Sequence, residues 1–400
     1  MTPPRRRPIN NFAFLALALG LLWADAGVSR AAPASQRVLS AAYAGKYADH
    51  ARLAEVKSHI FQALEDFPQL YRVSTGLTLR NYDHIGIELV DTLPDAQGAV
   101  VEALTQFVTE TNIGIRIRVD RCLAVPAVAY RLTMHELTHA VQRRDLGTEA
   151  LWQQYFPVWF REGIAVYVAG EISSRLSWDG FVALDREQDP MTLLRGLDSA
   201  AINYMECGLA VEYLDEFVHP GRLDDLIRHL TAGKDMASSI QEVYGLAWAD
   251  FHAAADTHAR ERLRAMFPAS FCTITLAARA QLKAGAVAEA QQTVAGLESS
   301  TCLLDPAFAA FIAAENGGLC ARQENYAAAR SHFEHALSSA GCEELPCAAG
   351  ARFGWANALE ELGEDAAAVA AFRELQQLYP YREDLQAAVT TRLAKLQDGK

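Results

Sequence analysis

His135-Glu136-Leu137-Thr138-His139 holds the residues best suited to chemistry in this 400-residue chain. Two histidines four residues apart on a helix lie one turn apart on the same face, so both imidazoles reach one ion. Glu136, beside the first of them, then points toward a water on that ion. Glu162 follows 23 residues after His139 and offers a carboxylate from a second helix. Two imidazoles, one carboxylate and an open fourth position make a catalytic site for one Zn2+. The competing reading of the motif is an amphipathic helix with capped or surface histidines. For Glu162 it is an ion pair with Arg161 or another base.

Both segments carry the marks of helices. Pro126 suits a first helical position, where its missing N–H costs nothing. Val128, Leu132, Leu137, Ala140 and Val141 keep a helical period, and Gly147 supplies a stop. The spacing predicts a half-buried helix of about five turns. Pro157 opens the second helix and Gly170 ends it. Glu162 sits there among Trp159, Phe160, Ile164, Ala165, Val166 and Tyr167. A carboxylate in so apolar a segment needs a cationic or metal partner. Gly163 is a poor helix former. Close approach of the two site helices would account for it.

The pairing of His-Glu-Leu-Thr-His with Trp159-Phe160-Arg161-Glu162-Gly163-Ile164-Ala165-Val166-Tyr167 resembles the gluzincin metallopeptidases. It is most similar to their bacterial peptidase MA-like branch, relatives of thermolysin and aminopeptidase N. The resemblance spans about residues 50–265. It implies a zincin-like fold, with His135, His139 and Glu162 as zinc ligands and Glu136 as general base. It also implies a Tyr or His that polarises the tetrahedral oxyanion. Tyr204 resembles the Tyr that opens the next helix in this branch; Tyr167 and Tyr213 are rivals, and a packing role for Tyr204 stays open. The gap between the second His and the Glu is longer here, with the excess expected to loop out over 145–156. The Gly-x-Met-Glu-Asn element that grips a free amino terminus in aminopeptidase N relatives is missing, so the resemblance does not extend to aminopeptidase specificity.

Residues 1–34 read as a signal peptide. Arg5-Arg6-Arg7 precedes an apolar stretch from Phe12 to Trp23, too short to span a bilayer, and Ala24-Asp25-Ala26 and Ala32-Pro33-Ala34 are cleavage candidates. Their removal takes away four Arg and one Asp and moves the net charge from −13 to −16. So acidic a chain, without a Lys/Arg cluster or a phosphate-binding Gly loop, argues against nucleic acid as a partner. With no second long apolar run, the processed chain is expected to have no membrane span and to be exported, most simply to a bacterial periplasm. All 7 cysteines follow the signal, where disulfides are permitted. Cys272 with Cys302, and Cys342 with Cys347, are the pairings that the repeat register below brings together.

Residues 35–267 are expected to form the α+β catalytic domain. A helix is predicted over 46–67, ending at Pro68. Strands are predicted over 77–82 and 85–90, with a turn at 81–84, and a helix over 94–110. Residues 113–119 alternate apolar and polar side chains as a strand with one wet face does. That strand is the candidate edge for pairing with an extended peptide substrate. Helices follow over 203–218, 223–230, 236–244 and 247–266.

From 268 to 400 the composition turns Ala-rich and repeats itself. Ala278, Gly285, Ala290, Val294 and Leu297 recur in spacing as Gly317, Glu324, Ala329, Phe333 and Ala336. They recur again as Ala356, Gly363, Ala368, Phe372 and Leu375. The pattern resembles tetratricopeptide repeats, an all-α module that implies a protein partner. The sequence thus points to an exported zinc peptidase acting on peptide or protein substrates. The alternatives are an envelope adaptor with a vestigial metal site and a zinc hydrolase of non-peptide amides.

Overall fold

The computed structural model describes residues 43–77, 79, 85–93, 103–107, 113–146, 149–172, 204–266, 277–278, 280–300, 306–339, 342 and 347–398. Residues 1–34, the turn at 81–84, Gly147, Cys272 and Cys302 lie outside them. The described part is mostly helical with one small mixed sheet, compatible with the α+β class.

Helix α1 (Leu53–Thr75) buries Val56, Ile60, Ala63, Leu64, Phe67, Tyr71 and Thr75. It starts later than the sequence suggests and runs straight through Pro68. Proline removes one helical hydrogen bond. The buried stripe runs across it, from Phe67 before to Tyr71 and Thr75 after at four-residue spacing, so packing holds the last two turns. Gly76, at φ 75°, ends the helix with its N–H on the Arg72 carbonyl.

Strands β1 (Ile85–Val90), β2 (Ala103–Phe107) and β3 (Ile113–Arg118) form one sheet in the order β1-β3-β2. β1 runs parallel to β3 and β2 antiparallel to it. Two expectations fail here. Residues 103–107, predicted helical, are a strand: Ala103, Leu104 and Phe107 fit either period, and pairing with β3 decides. β3 is central rather than an edge, since both its sides are already paired. Its alternation does hold. Ile113, Ile115 and Ile117 face the core, while Arg116 meets Glu88 of β1 at 3.0 Å.

The chain then turns through α2 (Val119–Leu123) into α3 (Ala127–Leu146), the long helix that carries the histidines. Helix α3 is buried over most of its girth. Thr133 and Thr138 tolerate this because their hydroxyls donate to the carbonyls of Ala129 and Met134. The segment expected to loop out instead contains helix α4 (Glu149–Tyr155), because Trp152 is drawn into the core. Helix α5 (Val158–Val168) begins at Pro157 and stops at Gly170, φ 65°, as its sequence foretells.

Helix α6 (Tyr204–Glu212) widens into a π-type turn over Tyr213–Val218. Gly163 sits where α5 crosses α6. A Cβ there would lie 2.5 Å from the Cys207 carbonyl oxygen, and one on Gly208 would lie 2.6 Å from Val166. The close approach expected of Gly163 is therefore made to α6 and not to α3. Helices α7 (Leu223–Thr231), α8 (Met236–Tyr244) and α9 (Trp248–Met266) complete the core of this half.

Beyond it come α10 (Val287–Ser300), α11 (Pro306–Arg322), α12 (Tyr326–Ser338), α13 (Ala348–Glu361), α14 (Asp365–Leu378) and α15 (Glu383–Asp398). The predicted repeat is visible in the backbone. Gly285, Glu324 and Gly363 all adopt positive φ, at 80°, 60° and 75°. Each is followed by a residue whose N–H returns to a carbonyl five residues back: Ala286 to Gln281, Asn325 to Cys320, Glu364 to Leu359. The repeated Ala290, Ala329 and Ala368 are fully buried, as is Phe372, with Phe333 nearly so. Cys342 and Cys347 are neighbouring thiols joined by a hydrogen bond rather than a disulfide. No helix among the described residues is long and apolar enough to cross a membrane.

Candidate metal centre

Helices α3 and α5 bring His135, His139 and Glu162 together. His135 Nε2 and His139 Nε2 are 3.1 Å apart, and each stands 3.3 Å from the same oxygen, Glu162 Oε2. Three donors at bonding distance on a tetrahedral zinc ion are separated by roughly 3.3 Å. The triangle is that of a ligand set facing one point, and the group could hold a metal ion.

The surroundings explain how the rings are held. His135 Nδ1 meets Glu171 Oε2 at 3.1 Å. His139 packs edge-on against Trp152, with ring centroids 5.6 Å apart, and its Nδ1 is buried with no partner among the described residues. Trp152 donates its indole N–H to Gln142, and the guanidinium groups of Arg143 and Arg161 lie over its ring. Arg161 is thus engaged with Trp152, while Glu162 forms ion pairs with the two imidazoles.

The electrostatics follow from burial. Desolvation by itself would depress the His135 imidazolium. The Glu171 charge and hydrogen bonds to Glu162 and Glu171 outweigh it and lift the group to about 10. Burial likewise opposes ionisation of Glu162, but His139 and His135 hold its carboxyl well below the usual carboxylate range. Glu136, Glu162 and Glu171 are three acidic groups in a space that holds two imidazoles, with Glu136 8% and Glu171 2% exposed. A metal cation on the Nε2 side would offset part of that negative charge and let both rings stay neutral.

Glu136 lies next to His135, and its carboxylate is held from the sheet. Thr105 Oγ1 on β2 is 2.5 Å from Glu136 Oε2 and 3.0 Å from the Glu136 carbonyl oxygen. Arg143 donates to the Thr105 carbonyl, tying β2 to α3 a second time. Tyr204, the first residue of α6, is 36% exposed, and its ring centroid stands 6.1 Å from that of His135. Its two rivals are occupied elsewhere. The Tyr167 hydroxyl donates toward Asp215 and Glu216, and Tyr213 packs on Phe251 and His258. Of the three tyrosines, Tyr204 is the one placed beside the histidines.

Comparison of the chain with family models, with curated proteins and with solved structures returns no match. The site therefore rests on its own geometry. Two of its residues were not legible in the sequence. Thr105 lies in a stretch read as helix. Glu171 lies past the glycine that ends α5, and its pairing with His135 is a contact made by the chain's reversal there.

Proposed function

We propose that this chain is an exported, zinc-dependent peptidase of the gluzincin type, with a C-terminal repeat module for protein interaction. The observation that carries the reading is the convergence of His135 Nε2, His139 Nε2 and Glu162 Oε2 within 3.1–3.3 Å. Those three atoms would hold the ion. When bound, zinc supplies Lewis acidity toward water and toward an acyl oxygen.

The remaining work falls to side chains of this chain. Glu136 accepts a proton from the attacking water and returns it to the departing amine. Thr105 keeps the Glu136 carboxylate from swinging away. Tyr204, exposed beside the histidines, donates its phenolic proton to the developing oxyanion. A buried Glu136 supports an active site over a vestigial one, since mere retention of metal gives no use for a third acidic group.

The edge that would pair with a peptide substrate is β2, because β3 is covered on both sides. β2 also carries Thr105, so the strand that would align substrate is the strand that holds the base. Export to a periplasm or beyond belongs to the same proposal, on the strength of residues 1–34.

The test is a peptide-library digest with the zinc-loaded chain, read by mass spectrometry beside Glu136→Gln. Cleavage by the parent with at least ~100-fold loss in the variant, at unchanged zinc content, supports the reading. A parent that binds zinc and cuts nothing would favour the adaptor; equal cleavage by the variant would remove Glu136 from the mechanism.

A further inference from the structure

We infer that Cys342 and Cys347 form a redox site: a preorganised dithiol that closes, by exchange with a disulfide oxidant, into a reversible bond pinning the end of α12 to the start of α13. The pair belongs to the repeat module and not to the metal centre.

Helix α12 ends at Ser338 and α13 begins at Ala348. Cys342 lies just past the first boundary and Cys347 just before the second. Hydrogen bonds fix both backbones. The Cys342 N–H donates to the Ser339 carbonyl at 3.1 Å, and the Cys347 carbonyl accepts from the Ala351 N–H at 2.8 Å. The side chains then meet, with the Cys347 thiol donating to Cys342.

Helix packing holds that contact in place. Cys342 is fully buried in a small apolar cluster with Ala310 of α11 and Ala348 of α13, and Leu337 of α12 packs against it. Three helices thus fix one thiol, while the first turn of α13 fixes the other. Thiols already held together have little entropy left to lose on bonding.

The pair also differs from the other cysteines in access. Cys122, Cys207, Cys320 and Cys342 are buried, and among the described cysteines Cys347 alone is partly exposed. An oxidant therefore enters through Cys347. That residue is a poor general nucleophile: its hydrogen bond to Cys342, and burial after it, hold its proton well above the usual thiol range. Proximity, rather than acidity, favours reaction here.

The chemistry is thiol–disulfide exchange. The Cys347 thiolate attacks one sulfur of a small-molecule disulfide such as oxidised glutathione, and one thiolate leaves. Cys342 then attacks Cys347 Sγ, expels the second thiolate and completes the bond. The protein gives up two electrons and two protons, and the oxidant takes them as two thiols. The bond closes a short loop and pins the first turn of α13, whose Ala349 shares an apolar cluster with Ala124 ahead of α3. Closure should raise the melting midpoint.

The experiment equilibrates the full chain with oxidised and reduced glutathione, alkylates it, and maps the peptides by mass spectrometry. Trypsin releases residues 331–352 as one peptide that holds both cysteines and no other. We expect that peptide to lose two hydrogen atoms and to resist alkylation, and its halves to stay joined after cleavage at Glu343 or Glu344. Reduction should restore two alkylatable thiols. The oxidised parent should melt above the reduced parent, and the gap should be lost in Cys342→Ser.

Three results of the map overturn the inference: both thiols still alkylatable under oxidising conditions, glutathione left standing on Cys347, or either residue joined to another cysteine. An equal melting gap in Cys342→Ser also overturns it, because the stabilisation would then come from a different pair. If Cys342→Ser does not fold, the map of the parent decides alone.

Discussion

His135 and His139 carry the same side chain on one helix face, and yet stand in different electrostatic surroundings. His135 lies between two carboxylates; His139 has one carboxylate and an aromatic edge. The difference has a consequence for stability. In chelator-treated protein, His135 has its affinity for a proton raised from the ordinary 6.5 to about 10. A group whose pKa is raised by folding stabilises the fold below its unfolded value, and that contribution is lost as pH climbs through the folded value. Metal-free protein should therefore lose a few kcal/mol of stability between about pH 6.5 and pH 10. Zinc-loaded protein should change little there, because metal has already displaced the proton from Nε2. Thermal melts across that window, with and without chelator, check it; parallel curves would reject it. His139→Ala should remove the metal altogether, since it deletes one of three ligands, and elemental analysis of the purified variant reads this directly.

At the scale of elements, the site depends on how closely α5 and α6 approach. Gly163 is beside Glu162, and the space its missing Cβ leaves is filled by the Cys207 carbonyl at 2.5 Å and by Val211 at 2.7 Å. Backbone cannot rotate aside as a side chain can. Gly163→Ala should push the helices apart, cost about 1–3 kcal/mol, and weaken zinc binding by displacing Glu162. A variant that melts and binds zinc as the parent does would show that the crossing is less rigid. This crossing also marks the limit of what the sequence discloses. Pro126, Pro157 and Gly170 announce where α3 begins and where α5 begins and ends, because caps are local chemistry. His135, His139 and Glu162 are readable because a four-residue spacing fixes two of them on one face and an apolar helix isolates the third. Gly163 could be recognised as a point of contact, but its partner helix could not be named. β2 was hidden because five residues with apolar groups at 103, 104 and 107 satisfy either period. Since strand order depends on β2, the central position of β3 was hidden with it. Pro68 misleads for the opposite reason: a strong local signal is overruled by the tertiary packing of Tyr71 and Thr75.

Over the whole molecule, the repeats do more than follow the half that carries the histidines. Arg121 of α2 lies over the Tyr381 ring at 4.1 Å, and Ala124 and Val125 belong to the apolar cluster built by α13, α14 and α15. These residues form the short link between β3 and the histidine-bearing α3. The C-terminal helices thus pack on the short link that leads into α3. Within the module, the repeat was legible to the residue. The 39-residue interval from Gly285 to Glu324 to Gly363 marks three equivalent left-handed turns, with glutamate where glycine is preferred. Glu324 bears a Cβ penalty that glycine does not, so Glu324→Gly should stabilise the chain by on the order of 0.5 kcal/mol, once the greater freedom of unfolded glycine is subtracted. That packing makes a further claim. Tyr381→Ala removes the aromatic face from Arg121 and loosens the contact by about 1 kcal/mol. If the module braces the link, hydrogen exchange should quicken in peptides covering residues 119–125, far in sequence from the substitution, while peptides from α7 and α8 keep parental protection. Faster exchange confined to 379–398 would mean that the module is tethered to the histidine-bearing half without steadying it.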